Sequence, residues 1–98
     1  MLLPLLLLAA APTTLHYAKH SDGVVDVYSP AKPTQLPLVF LIHGGFWSPA
    51  YDRTHLRAMA HALAAEGWSA AAIEYRRIPG DPDATLADVR VALRVVPV

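Results

Sequence analysis

The sequence contains no cysteine in its 98 residues. This absence excludes disulfides, thiolate zinc sites and a cysteine nucleophile within the chain. Charge is also scarce, because only 16% of the residues are charged and the eight basic and eight acidic residues cancel. No run of basic residues is present that could follow a phosphate backbone, so we expect no nucleic-acid partner.

Apolar residues are abundant instead, at 54% of the chain. Such a composition is typical of a chain that folds around a core and not of a disordered one. A chain of this length forms one domain at most.

The first 13 residues contain the leucine-rich run MLLPLLLLAAA. This run has the length of a signal-peptide core and ends in an A-x-A-like cleavage site, but no Lys or Arg stands before Leu8, so the positively charged n-region is missing. It is too short to span a bilayer unaided, so a membrane partner is not expected. Two interpretations stay open, a secretory signal or a bland N-terminal extension, and localisation stays open between cytoplasmic and secreted. We therefore assign residues 1–13 to a leader and residues 14–98 to the folded domain.

Two short strands, joined by a turn at Ser21-Asp22-Gly23, are predicted after the leader. The run LVFLI, residues 38–42, has no polar alternation, which predicts a strand buried on both faces. Residues 68–76, WSAAAIEYR, are again short and apolar and predict a second buried strand.

Helical periodicity begins after Arg53. We expect Asp52 or Thr54 to cap this first helix and Gly67 to end it. The apolar positions that repeat along one helical face are Leu56, Met59, Ala60, Leu63 and Ala64.

A second helix is predicted to begin at Asp81-Pro82 and to run almost to Val98. Buried strands that alternate with helices indicate an α/β fold with a mostly parallel sheet flanked by helices. A crossover helix normally leads to another parallel strand, and none follows here. We therefore expect a truncated fold.

The stretch HGGFW comes directly after the first buried strand, at the edge where open α/β sheets bind ligands. Gly44 and Gly45 permit positive φ and a close approach of ligand to main chain. Consecutive amides in such a turn can converge on one anionic oxygen. Phe46 and Trp47 could shield that oxygen or wall an apolar pocket, and His43 could fix the loop through its ring nitrogens.

HGGFW after a buried strand, followed by a helix and then EYRR, resembles the α/β-hydrolase family. The resemblance is closest to the branch of HGG-type esterases, feruloyl esterase-like enzymes and kynurenine formamidases. It implies that the backbone N–H groups of Gly44, Gly45 and Phe46 form an oxyanion hole, with His43 as loop anchor and Trp47 as pocket wall.

The resemblance further implies a small-molecule ester or amide substrate, cleaved by serine acyl transfer without a metal or organic cofactor. Tyr75 and Arg76 would brace the loop, and Asp88 would be a structural acid.

The serines depart from the family's pattern, since none of the four stands in a G-x-S-x-G elbow. The nucleophile and the rest of the triad would therefore lie beyond residue 98. We predict the N-terminal part of a serine α/β-hydrolase, truncated before the nucleophile strand and inactive by itself. The alternative is a non-catalytic remnant or small binding protein with a hydrolase-derived βαβ fold. A dinucleotide site is disfavoured, because G-x-G-x-x-G is missing.

Other polar residues have simpler interpretations. Ser48 is expected to form a turn, since no base is placed for it. His55 and His61 lie six residues apart, whereas a zinc pair on a helix favours a spacing of four. Glu74 is expected to pair with Arg53 or with one of the two arginines that follow it, Arg76 and Arg77.

Overall fold

The structure is a computed structural model, and it describes residues 11–96. Its elements form a small α/β domain. In chain order they are β1 (Thr13–His16), β2 (Val24–Tyr28), β3 (Val39–Ile42), a 3-10 turn (Arg53–Leu56), α1 (Arg57–Ala65), β4 (Ala70–Ile73) and α2 (Pro82–Val95).

The four strands form one mixed sheet in the order β1-β2-β4-β3. The pairs β1/β2 and β2/β4 are antiparallel, and β3/β4 is parallel. The expected mostly parallel sheet is therefore wrong for residues 11–96. Parallel pairing needs a long crossover, and among these strands only the helical connection between β3 and β4 gives a parallel pair.

The hairpin between β1 and β2 turns where the sequence indicates. The N–H of Gly23 donates to the carbonyl of His20 at 2.9 Å. A side chain at Gly23 would meet the carbonyl oxygen of Ala18 at 2.8 Å, so the tight turn has room only for glycine.

Strand β4 is buried at all four residues, as predicted. Its side chains alternate, so that Ala71 and Ile73 pack towards α2 while Ala70 and Ala72 pack towards α1. The two helices therefore cover opposite faces of the sheet.

Strand β3 differs from its prediction. Leu41 is buried, but Val39 and Phe40 are half-buried and Ile42 is 52% exposed. The reason is position, because β3 lies at the end of the described sheet and pairs with β4 alone.

The predicted helix ends are largely confirmed. Asp52 caps the 3-10 turn by accepting from the N–H of Thr54 at 2.9 Å. Gly67, at φ +94°, ends α1. Asp81 caps α2 from the N–H of Ala84 at 3.2 Å, with Pro82 as the first helical residue.

The leader falls mostly outside the described residues, and β1 begins at its last position, Thr13. The division into leader and domain stays a prediction. No helix within residues 11–96 is long and apolar enough to cross a bilayer.

Candidate functional site

The HGG loop, residues 43–52, leaves the carboxyl end of β3 and returns at the 3-10 turn. His43 is buried, whereas Gly44 is exposed. Phe46 is 96% exposed and Trp47 is 41% exposed. The loop therefore begins at a buried residue and has an exposed, aromatic tip.

The tip of the HGG loop has a left-handed backbone. Gly45 has φ +121°, Phe46 +52° and Trp47 +60°. The N–H of Ser48 donates to the carbonyl of Gly45 at 3.0 Å and closes a four-residue turn. Positive φ at both central residues is typical of a type I′ turn, which large side chains adopt rarely. Each such residue costs about 1–3 kcal/mol, so the surroundings must hold this turn.

The turn leaves a series of backbone donors open. Within residues 11–96, the N–H groups of Gly45, Phe46 and Trp47 find no hydrogen-bond acceptor. The loop thus presents three consecutive free donors at the carboxyl end of a strand.

His43 lies beneath this turn and is 5% exposed. Its Nε2 lies 2.6 Å from Oε2 of Glu74, and its Nδ1 lies 2.9 Å from the carbonyl of Gly44. Both ring nitrogens of His43 therefore face acceptor oxygens. The ring also stacks on Tyr75, with centroids 4.4 Å apart.

Tyr75 also holds His43, because the Tyr75 hydroxyl donates to the backbone carbonyl of His43. Burial, and after it the nearby Glu74 carboxylate, raises the pKa of Tyr75. Its hydroxyl therefore stays protonated and remains a donor.

Glu74, at the end of β4, is 1% exposed. Its Oε1 accepts from the backbone N–H of Arg53 at 2.9 Å, and the guanidinium nitrogens of Arg53 and Arg77 approach to 3.6 and 3.8 Å. Pairing with arginine was expected, but the contact with His43 was not. Register could have indicated it, because Ile42 pairs with Ile73 across the parallel strands and His43 and Glu74 follow them directly.

A second buried carboxylate extends the network. Asp26 on β2 accepts from Nε of Arg53 at 2.8 Å and from the Thr14 hydroxyl at 2.7 Å. Asp26 was not predicted as a functional residue, although an acid within the strand VVDVY is itself a signal. Because Arg53 contacts both Asp26 and Glu74, it joins β2 to the base of the HGG loop.

Arg77 supports the far arm of the loop. It donates to the carbonyl of Tyr51 at 2.5 Å and to Oδ1 of Asp22 at 2.9 Å. The backbone of Gly45 lies so close to Tyr51 that a Cβ there would meet the Tyr51 Cβ at 2.5 Å. Only glycine fits at that position.

The resemblance implied that Arg76 would brace the HGG loop, but Arg76 bonds to α2 instead. Its Nε and Nη2 donate to Asp88 on α2 at 3.0 and 2.9 Å, and its N–H donates to the same carboxylate at 2.9 Å. Burial pushes the pKa of Asp88 upward, but the bonds and charge of Arg76 outweigh it, and the pKa lies below its usual range. The pair joins the end of β4 to α2, and Tyr75 rather than Arg76 touches the HGG loop.

The remaining candidates fit their simpler interpretations. Oγ of Ser48 accepts from the N–H of Ala50 at 3.2 Å, and no histidine nitrogen bonds to it within the described chain. His55 lies beside Asp52, while the ring of His61 packs edge-on against Tyr28. Residues 11–96 contain no cluster of three metal-ligating side chains.

A crystal structure supports the fold. It is that of a protein provisionally described as a thioesterase from Silicibacter sp. TM1040, and it matches this chain with a TM-score of 0.74 at 24% identity. The match covers 86% of this chain and 32% of that one, so the chain spans about a third of that protein. No curated protein is similar enough to count as a relative.

The mixed sheet and its two covering helices form part of an α/β-hydrolase fold. The particular family follows from sequence, because the model of the BD-FAE family, the bifunctional feruloyl/acetyl xylan esterases, matches residues 25–97. The chain belongs to that family, and the predicted resemblance to feruloyl esterase-like hydrolases is confirmed.

Proposed function

We propose that the HGG loop is the oxyanion hole of a hydrolase that cleaves ester bonds, with amide bonds as the second substrate class. The observation that carries this proposal is the run of open N–H groups at Gly45, Phe46 and Trp47. Membership of an esterase family supports it. Of these donors, Gly45 and Phe46 are assigned to the oxyanion, together with the N–H of Gly44.

The proposed chemistry is acyl transfer. A serine hydroxyl attacks the substrate carbonyl carbon, a base takes the hydroxyl proton, and the carbonyl oxygen becomes an anion. Backbone donors that are already in place stabilise this anion without reorganising, and losing one of them costs roughly 3–4 kcal/mol of barrier. The alcohol or amine then leaves with a proton, and water releases the acid.

No residue of this chain is assigned as the nucleophile or the base of this reaction. Ser48 is the only serine in the HGG loop, and its hydroxyl is occupied by Ala50 without a histidine partner. His43 is buried against Glu74, so it is assigned to loop anchoring and not to proton transfer. Phe46 and Trp47 are assigned to the apolar side of the substrate site.

The test deletes one donor, and the ester that replaces the amide also weakens the Gly45 carbonyl as acceptor of the Ser48 N–H. In a chimera, residues 11–96 replace the matching third of the solved thioesterase chain, and phenyllactic acid replaces Phe46. This change turns the amide into an ester, so that the side chain stays and the N–H disappears. We expect kcat for p-nitrophenyl acetate to fall by about 10²–10³-fold.

The matched control is lactic acid in place of Ala31, which lies in the loop between β2 and β3. It should leave kcat within a few-fold of the chimera. An unchanged kcat after deletion of the Phe46 N–H would contradict the oxyanion assignment. A folded chimera without any activity would favour the non-catalytic alternative.

The isolated chain provides a second measurement. We expect it not to hydrolyse p-nitrophenyl acetate above the buffer rate. Turnover that disappears in Ser48→Ala would place a nucleophile inside the HGG loop and contradict the assignment above.

A further inference from the structure

The two ends of the HGG loop meet at one buried carboxyl group. Oε2 of Glu74 bonds to the ring of His43 at 2.6 Å, where the chain enters the loop. Oε1 accepts from the backbone N–H of Arg53 at 2.9 Å, where the chain leaves it. One side chain on a neighbouring strand therefore bridges the entrance and exit of the loop.

We propose that Glu74 is the positioning residue of the oxyanion loop and that it acts as a two-point clamp. Neither contact involves the open N–H groups themselves. Each contact instead fixes one end of a chain segment whose tip would otherwise relax from its left-handed turn. The clamp thereby keeps the open donors of Gly45 and Phe46 in place before substrate arrives.

The strain at the tip explains why a clamp is needed. Phe46 and Trp47 hold φ values of +52° and +60°, which large L residues avoid. A loop with free ends would relieve this strain by changing its backbone. Fixing both ends reduces the number of conformations that the segment can reach.

The two arginines beside Glu74 each have a second acidic partner. Arg53 retains the Asp26 carboxylate at 2.8 Å, and Arg77 retains that of Asp22 at 2.9 Å. The N–H of Tyr75 also donates to Oε2 of Glu74 at 3.2 Å. Both arginines therefore keep an acidic partner when a neutral residue replaces Glu74. We infer that the clamp depends more on the length of this side chain than on its charge.

Two conservative variants of Glu74 are therefore expected to have opposite effects on the HGG loop. Glu74→Gln keeps the length, because its carbonyl can accept from Arg53 and its amide can donate to Nε2 of His43, although the bond from the N–H of Tyr75 to Oε2 is lost. The neutral imidazole still donates from Nδ1 to Gly44 in that arrangement. Glu74→Asp keeps the charge but is one methylene shorter, so it cannot span both ends.

The experiment measures backbone order in the 98-residue chain by ¹⁵N NMR relaxation, without substrate. In the unchanged chain and in Glu74→Gln we expect order parameters of about 0.85 at Gly45 and Phe46, typical of rigid backbone. In Glu74→Asp and Glu74→Ala they should fall below about 0.6, the flexible range. Order at β4 should stay high in every folded variant.

A rigid loop in Glu74→Asp beside a mobile loop in Glu74→Gln would overturn the clamp and make charge the relevant property. A loop that stays rigid in Glu74→Ala would overturn any positioning role. Unfolding of Glu74→Asp beside a folded, rigid Glu74→Gln would agree with the proposal, since charge alone would favour the aspartate. A mobile loop in folded Glu74→Gln would contradict the proposal whatever the shorter variants do.

Asp88→Asn is the matched control, because Asp88 is another buried carboxylate with an arginine partner. It lies on α2 and bonds to Arg76, without a contact to the HGG loop in the described residues. It should lower global stability and leave the loop's order unchanged. The meaning of the clamp for catalysis rests on the proposed function, but loop order is measured without hydrolysis, so either proposal can fail while the other stands.

Discussion

At the carboxyl ends of β3 and β4, the buried side chains are polar and charged: His43 and Glu74, with Asp26 one strand away. At the opposite end of the sheet, an open groove of about 590 Å³ is lined by residues such as Leu36 and Leu38, and none of its lining residues is charged. Both ends have loops of similar length, yet within residues 11–96 only the HGG end is cross-linked by ion pairs and closed by a strained turn.

The two ends show that a large hollow and a cluster of polar groups suited to catalysis need not coincide. Large apolar hollows are the usual first candidates for binding sites, but a site also needs convergent polar groups. The groove has the volume, whereas the HGG loop has the donors and the buried network that holds them. In this chain the chemistry identifies the site better than the volume.

The largest expected effect comes from the network that supports the charged end. Arg53→Ala removes the guanidinium between Asp26 and Glu74, which are 6% and 1% exposed. Breaking a buried pair costs about 3–5 kcal/mol, and because Arg53 is itself partly exposed we expect about 3 kcal/mol of unfolding free energy. Urea denaturation measures it, with Arg90→Ala on α2 as a control expected within about 0.5 kcal/mol. Equal values for the two variants would remove the contrast between the ends.

The next effect separates two neighbouring glycines. Gly45→Ala places a Cβ 2.5 Å from that of Tyr51, at a φ of +121°, so we expect a loss of about 2 kcal/mol. Gly44→Ala meets nothing within 4 Å and should stay within about 1 kcal/mol. The same denaturation experiment compares them. If both variants lost the same stability, the close approach of Tyr51 to Gly45 would not constrain the loop.

The sequence predicts the features that depend on neighbouring residues. The caps at Asp52 and Asp81, the end of α1 at Gly67 and the buried strand β4 all follow from local patterns. The position of the HGG loop after a strand belongs to the same group.

Features that depend on which strands become neighbours were not predicted. The antiparallel pairing of β2 with β4 brings Asp26 near Arg53, and the parallel pairing of β3 with β4 brings His43 to Glu74. Strand order also explains why β3 is partly exposed. Hydrophobic period alone does not encode any of this, because an edge strand and a central strand can have the same run of residues.

A smaller effect, of opposite sign, tests the strain at the loop tip. Phe46→Gly relieves a left-handed conformation worth about 1–2 kcal/mol, and glycine costs about 0.5–1 kcal/mol in unfolded-chain entropy. The side chain is 96% exposed, so little packing is lost, and we expect a net gain of about 0.5–1 kcal/mol. Ala50→Gly is the control, because Ala50 does not have positive φ and should lose stability instead. A loss in both variants would mean that the turn at Phe46 is not strained.

The smallest effect is expected at the uncharged end of the sheet. Leu36 is 43% exposed at the rim of the groove, so Leu36→Lys should change the unfolding free energy by no more than about 0.5 kcal/mol. Leu38 contributes to the floor and packs against the core beneath α2, so Leu38→Lys should cost several times more. Thermal and urea unfolding of both variants measure the difference. A large loss of stability in Leu36→Lys would show that the groove is as tightly packed as the HGG loop. The two ends of the sheet would then differ in charge alone.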